Sequence, residues 1–129
     1  MNEVNAITER IIQAVIKVHS TLGPGFLERV YHNALLIELE QDGFKIDSEK
    51  EILIRYKEQL VGRHRLDLVV AGQVVLELKT VEDLSRAHYA QMRSYLKASG
   101  LPVGLLINFA PEKADFRRVE CSEAKQLSP

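Results

Sequence analysis

The chain has 129 residues, 46% apolar and 27% charged, a globular composition sized for one domain over residues 1–129. Its 17 basic and 18 acidic side chains leave a formal charge of −1, so nucleic-acid binding would have to come from a local patch. A lone cysteine, Cys121, excludes an internal disulfide and a cysteine-built zinc site. With a polar Met1–Thr8 start and no apolar run of transmembrane length, a soluble cytoplasmic protein without membrane contact is expected.

From Ala6 to Leu22, Ile7, Ile11, Ile12, Val15, Val18 and Leu22 recur three and four apart, which predicts an amphipathic helix. Gly23-Pro24-Gly25 stops it. A second helix is expected from about Phe26 to Gln41, burying Leu27, Val30, Ala34, Leu35 and Leu39 and ending at Asp42-Gly43. Lys50 to Lys57 reads as a strand, Glu58-Gln59 as a turn, and Leu60 to Val70 as the next strand. Val74 to Lys79 follows across a turn at Gly72, then a helix from about Leu84 to Ala98 with Gly100 and Pro102 past its end. Val103 to Phe109 is nearly all apolar, as in a strand buried on both faces, and an edge strand is expected over Asp115 to Glu120. The order is helix, helix, three antiparallel strands, helix, parallel strand, an α/β fold with a mixed sheet flanked by helices.

The hairpin from Leu66 to Lys79 carries the chemistry. With its turn centred on Gly72, Asp67 falls opposite Glu77, their Cβ atoms within roughly 5 Å, and Lys79 shares the face of Glu77. Two carboxylates that close repel unless a cation lies between them, and a divalent metal with several waters would suit. Lys79 could then orient a water or stabilise a charged transition state. The plainer alternative is a solvated hairpin face with a cross-strand Lys79 ion pair.

The third helix adds His88, Gln91 and Tyr95 on one face, near the carboxyl end of the strand bearing Glu77 and Lys79. Gln91 and Tyr95 equally suit an ordinary amphipathic boundary, and His88 suits a solvated position. His19, His32 and His64 show no mutual metal-ligand spacing. Arg63, His64 and Arg65, with Arg55 and Lys57 on the preceding strand, form a basic cluster beside Asp67, able to grip phosphates or to be the solvent face of an edge strand.

Gly25-Phe26-Leu27-Glu28-Arg29-Val30-Tyr31 matches a G-x-x-E-x-x-Y signature, and from about Ile7 to Phe109 the chain resembles the family of that name within the PD-(D/E)xK nuclease superfamily. Asp67 and Glu77-Leu78-Lys79 look like the superfamily's Asp and Glu-x-Lys, and Gln91 to Tyr95 like the Q-x-x-x-Y motif of its RecB and λ-exonuclease-like branch. Leu66 stands where the family has a proline before the aspartate.

The resemblance implies a restriction-endonuclease-like αβββαβ core. It also implies a magnesium- or manganese-dependent phosphodiesterase acting on nucleic acid, DNA before RNA. Asp67, Glu77 and Lys79 would be catalytic, and Asp67, Glu77 and Glu28 would hold the metal. Gln91 and Tyr95 would position the phosphate backbone or the lysine, with Tyr31 packing against the site. A non-catalytic module binding nucleic acid or a protein through the same fold is the rival, and the small size leaves room for a protein partner or a homo-oligomer. A hydrolase of small phosphorylated substrates is weaker, since no glycine-rich nucleotide loop supports it.

Overall fold

The computed structural model describes residues 3–121. The first two residues of the polar start and residues 122–129 of the expected domain lie outside that range. Helix α1 (Glu3–Leu22) buries Ile7, Ile11, Val15 and Val18 of the expected stripe together with Ala14, while Ile12 and Leu22 at its margin are only partly buried. No helix among the described residues is long and apolar enough to cross a membrane.

Helix α2 (Glu28–Gln41) departs from expectation in its buried stripe, which is Tyr31, His32, Leu35 and Leu39. Leu27 is 80% exposed and Val30 is exposed as well, because the helix begins at Glu28 and its inward face is set by Tyr31 with the residues four and eight further on.

Strand β1 (Ile46–Tyr56) starts four residues before the expected Lys50, and β2 (Gln59–Val70) follows a turn at Lys57-Glu58 rather than Glu58-Gln59. Both turn residues have positive φ, 48° and 65°, the backbone of a tight hairpin turn that Lys and Glu do not advertise. Strand β3 (Val74–Lys79) pairs antiparallel with β2. Helix α3 (Arg86–Ser99) then crosses to β4 (Val103–Asn108), which runs parallel to β3, and β5 (Asp115–Glu120) closes the far edge. The five strands lie in sequence order in one mixed sheet with helices on both faces, an α/β arrangement of the expected kind.

Helices α1 and α2 pack on one face against Leu68, Val70, Val74, Leu76, Leu78, Leu105 and Ile107. Helix α3 packs on the other, where Met92 and Leu96 meet Ile52, Leu66, Val69, Val75 and Leu106. Leu66 and Leu68 are two apart on one strand and should share a face, yet they belong to opposite layers. On β1, Ile46 and Ile52 divide in the same way. The register runs unbroken through Lys50↔Leu66 and Ser48↔Leu68, but Glu49 and Asp67 between them do not pair, and Glu49 has a φ of 55°. Both strands therefore rotate their side chains from one layer to the other at this point.

Ser85 caps α3 and His88 returns the contact through its ring nitrogen, a capping box that accounts for His88 structurally. The helix ends at Gly100, whose φ of 74° suits the left-handed cap. Gly104 on β4 brings α3 close to the sheet, since a Cβ there would press into Cγ, Sδ and Cε of the buried Met92. Gly104→Ala is expected to destabilise by about 1–3 kcal/mol, read as a lower urea midpoint at an unchanged slope.

Candidate functional site

The β2–β3 ladder ends at the Leu68–Leu76 pair, and Asp67 and Glu77 lie just beyond it without pairing. Asp67 is freed from the β1 ladder by the break opposite Glu49, and its Oδ2 accepts a hydrogen bond from the Leu78 backbone N–H at 2.8 Å. That contact draws its carboxyl across the end of the ladder toward Glu77. Glu77 is 5% exposed, flanked by the apolar residues Leu76 and Leu78.

Burial, and then the negative charge of Asp67 and a hydrogen bond between the two side chains, push the Glu77 carboxyl up to about 9, with Lys79 pulling weakly the other way. Glu77 therefore keeps its proton at neutral pH, facing the Asp67 side chain.

Glu28 opens α2, and its helix packs toward β3. The residue is exposed overall, but its carboxyl is partly desolvated, which raises its pKa, and Asp67 raises it further while Lys79 and Arg29 lower it. Glu28 thus lies within electrostatic range of both Asp67 and Lys79. Among the described residues no three Asp, Glu, His or Cys side chains are gathered closely enough to hold a metal, so the close carboxyl pair is Asp67 and Glu77 alone.

Lys79 ends β3, and its carbonyl receives the Phe109 N–H at 2.9 Å. The buried Asn108 accepts from the Val81 N–H at 3.1 Å and donates to the Val81 carbonyl at 2.8 Å, fixing the chain as it leaves the strand. Tyr31 is fully buried, stacked on Phe109 with centroids 4.4 Å apart. Its hydroxyl donates to the Gly23 carbonyl at 2.6 Å and accepts from the Phe26 N–H at 3.2 Å, tying down the loop that delivers Glu28.

Tyr95 stacks on His64 with centroids 3.9 Å apart, and Asp67 and Glu77, after desolvation, raise its pKa. Gln91 lies one turn earlier on α3 and is exposed. His64 Nε2 is 3.3 Å from Glu77 Oε1, and desolvation lowers the ring's pKa, so it faces the pair as a neutral imidazole. His32, one turn after Glu28, bonds Ser48 Oγ at 3.1 Å, and its pKa, lowered by desolvation and Arg29, is raised in part by Asp67.

The basic cluster beside Asp67 puts His64 near that acid, but neither its contact with Glu77 nor the approach of His32 to Asp67 was anticipated. His32 had a signal in its i+4 relation to Glu28, whereas His64 reaches the site because β2 changes faces between it and Asp67. The expected basic cluster divides accordingly: His64 turns inward, while Arg63 pairs with Glu51 at 2.9 Å on the exposed side.

Two adjoining carboxyls sharing a proton, with a lysine on the same strand, provide hard oxygen donors with a charge deficit that a divalent cation would satisfy. Asp67 and Glu77 fit such an ion, with water supplying the remaining oxygens.

A family model described as PD-(D/E)XK nuclease superfamily matches residues 5–119. Among solved structures the chain is similar to the crystal structure of SSO0001, with a TM-score of 0.59 and 20% identity over 78% of this chain. It spans 55% of that protein's chain, and the likeness is one of fold. No curated protein matches it.

Proposed function

Because the chain belongs to the PD-(D/E)XK nuclease superfamily, with a restriction-endonuclease-like α/β fold, we propose that it is a divalent-metal-dependent nuclease that hydrolyses phosphodiester bonds in DNA, RNA being the lesser alternative. Within the superfamily we read it as a member of the G-x-x-E-x-x-Y group, from Gly25, Glu28 and Tyr31, and as one nuclease-like domain. The observation that carries the reading is the carboxyl pair of buried Glu77 and half-buried Asp67 with Lys79 on the same strand, an arrangement with a cost to folding and a use in binding magnesium or manganese.

Asp67 and Glu77 hold the cation, and Glu28 supports it from α2. When bound, the cation supplies Lewis acidity toward the phosphate and acidifies water. Lys79 orients the attacking water and offsets negative charge as it builds on the phosphate. Tyr95 and Gln91, from the helix above, orient the phosphate backbone and the lysine, and Tyr31 keeps the Glu28 loop in place.

The test is cleavage of labelled single- and double-stranded DNA, linear and circular, in magnesium, manganese or EDTA. Cleavage that needs the metal and is lost in Asp67→Ala is the expected result. Cleavage that survives EDTA, or is untouched by that substitution, overturns the reading. Binding without cleavage under any metal would favour the non-catalytic module.

A further inference from the structure

Beyond the face change at Asp67, β1 and β2 continue as a two-stranded arm. Residues 50–66 carry five cations (Lys50, Arg55, Lys57, Arg63 and Arg65) and two acids (Glu51 and Glu58), in a chain of net charge −1. At the tip Tyr56 is 65% exposed, with Lys57 Nζ 5.6 Å from the ring centroid. A cleft of about 580 Å³ separates the arm from α3, with Leu53, Ile54 and Arg55 on one wall and Ser94, Lys97 and Ala98 on the other. The His64–Tyr95 stack ties the same two elements together, and His64 reaches Glu77. On α3, Tyr95 directly follows the cleft residue Ser94, and its stack with His64 leads on to Glu77.

We propose that this arm and α3 grip a single-stranded segment of nucleic acid and lead it past Tyr95 to the Asp67–Glu77 pair, an inference that rests on the nuclease reading for its substrate. An apolar cleft floor bordered by cations matches unpaired bases and their phosphates, whereas a duplex keeps its base faces stacked inside and offers only their edges in its grooves. An exposed tyrosine beside a lysine is a stacking platform of the kind that holds bases irrespective of sequence. A second copy docking arm to arm would bring these cations against their own equivalents, which argues against self-association here.

The experiment is fluorescence anisotropy of the full chain with a labelled oligodeoxynucleotide, single-stranded and duplex, in EDTA so that nothing is cut. Single strand is expected to bind at least about tenfold tighter than duplex, and Tyr56→Ala to weaken it at least about fivefold, while Tyr56→Phe retains it. The double substitution Arg55→Glu with Lys57→Glu is expected to weaken binding at least about tenfold and to flatten its salt dependence. Both positions are exposed, and circular dichroism verifies that the variants fold.

Affinities within about twofold of the parent in every variant, or a duplex bound as tightly as the single strand, overturn the proposal. So does an arm substitution that turns a dimer into a monomer by light scattering without weakening the oligonucleotide. Because binding is read without metal, loss of the nuclease reading would show separately, as an arm that grips DNA on a protein that never cuts it.

Discussion

Lys79→Ala is expected to leave a folded protein whose DNA cleavage is slower by about 10²–10³-fold at saturating metal, the usual cost of removing one preorganised charge from a transition state. Lys79 ends a strand anchored by Phe109 and Asn108, so truncating its side chain removes little packing. What it removes is the positive charge that lowers the pKa of both Glu77 and Glu28. The three acids are then left to one another and to the metal. Single-turnover rates at several metal concentrations separate two effects: a lost chemical step persists at saturation, whereas weakened metal binding is recovered. Asp67→Ala is expected to be at least as severe, because it also orphans the Leu78 N–H. A saturated Lys79→Ala rate equal to that of the parent would remove the lysine from the chemistry.

The second large effect is on the protein without metal. The Glu77 carboxyl titrates near 4.5 when unfolded and near 9 when folded. Between these values the unfolded chain has released a proton that the folded chain still holds. Stability is therefore full below the lower value and falls as pH rises through the window, by up to about 1.4 kcal/mol per unit. Glu77→Gln removes the titration, so at pH 8 the metal-free variant is expected to exceed the parent by several kcal/mol, as read from urea unfolding, while the two nearly coincide at pH 5.

Metal binding reverses the same balance. A cation must displace the shared proton, so affinity for manganese is expected to climb with pH up to about 9, with proton release visible in calorimetry across buffers of different ionisation enthalpy. An affinity that ignores pH across this range would mean that Glu77 is not the protonated partner.

Much of this was legible in the chain itself. The periodicity of α1, the apolar run of β4 and the punctuation at Gly72 and Gly100 are local signals, and each element formed where they place it. The turn alone sets the register of the inner hairpin, which the structure keeps as far as Leu68 opposite Leu76; Asp67 and Glu77 lie just beyond the last pair, their side chains interacting there. What escaped was non-local. The hairpin turn at Lys57-Glu58 uses a backbone conformation that neither residue type signals. Leu27 and Val30 belong to an apolar pattern but lie outside the arc selected by Tyr31, which is chosen by its stack on Phe109 from the far end of β4. The nearness of His64 to Glu77 depends on strand alternation failing at Asp67, and counting residues along a strand assumes that it holds.

That failure of alternation has a bearing on how the molecule moves. Up to Glu49 and Asp67 the two long strands are clamped by the α1–α2 layer, and past them α3 holds the hairpin down, with its tip in solvent. Backbone amides of the outer segment therefore belong to a cooperative unit that can open while the inner sheet stays closed. Asp67 lies at the hinge between these units, held by its bond to Leu78 on the side that does not open. The tip of the arm can breathe without moving Asp67, while His64, nearer the hinge, is the point through which its motion reaches Glu77.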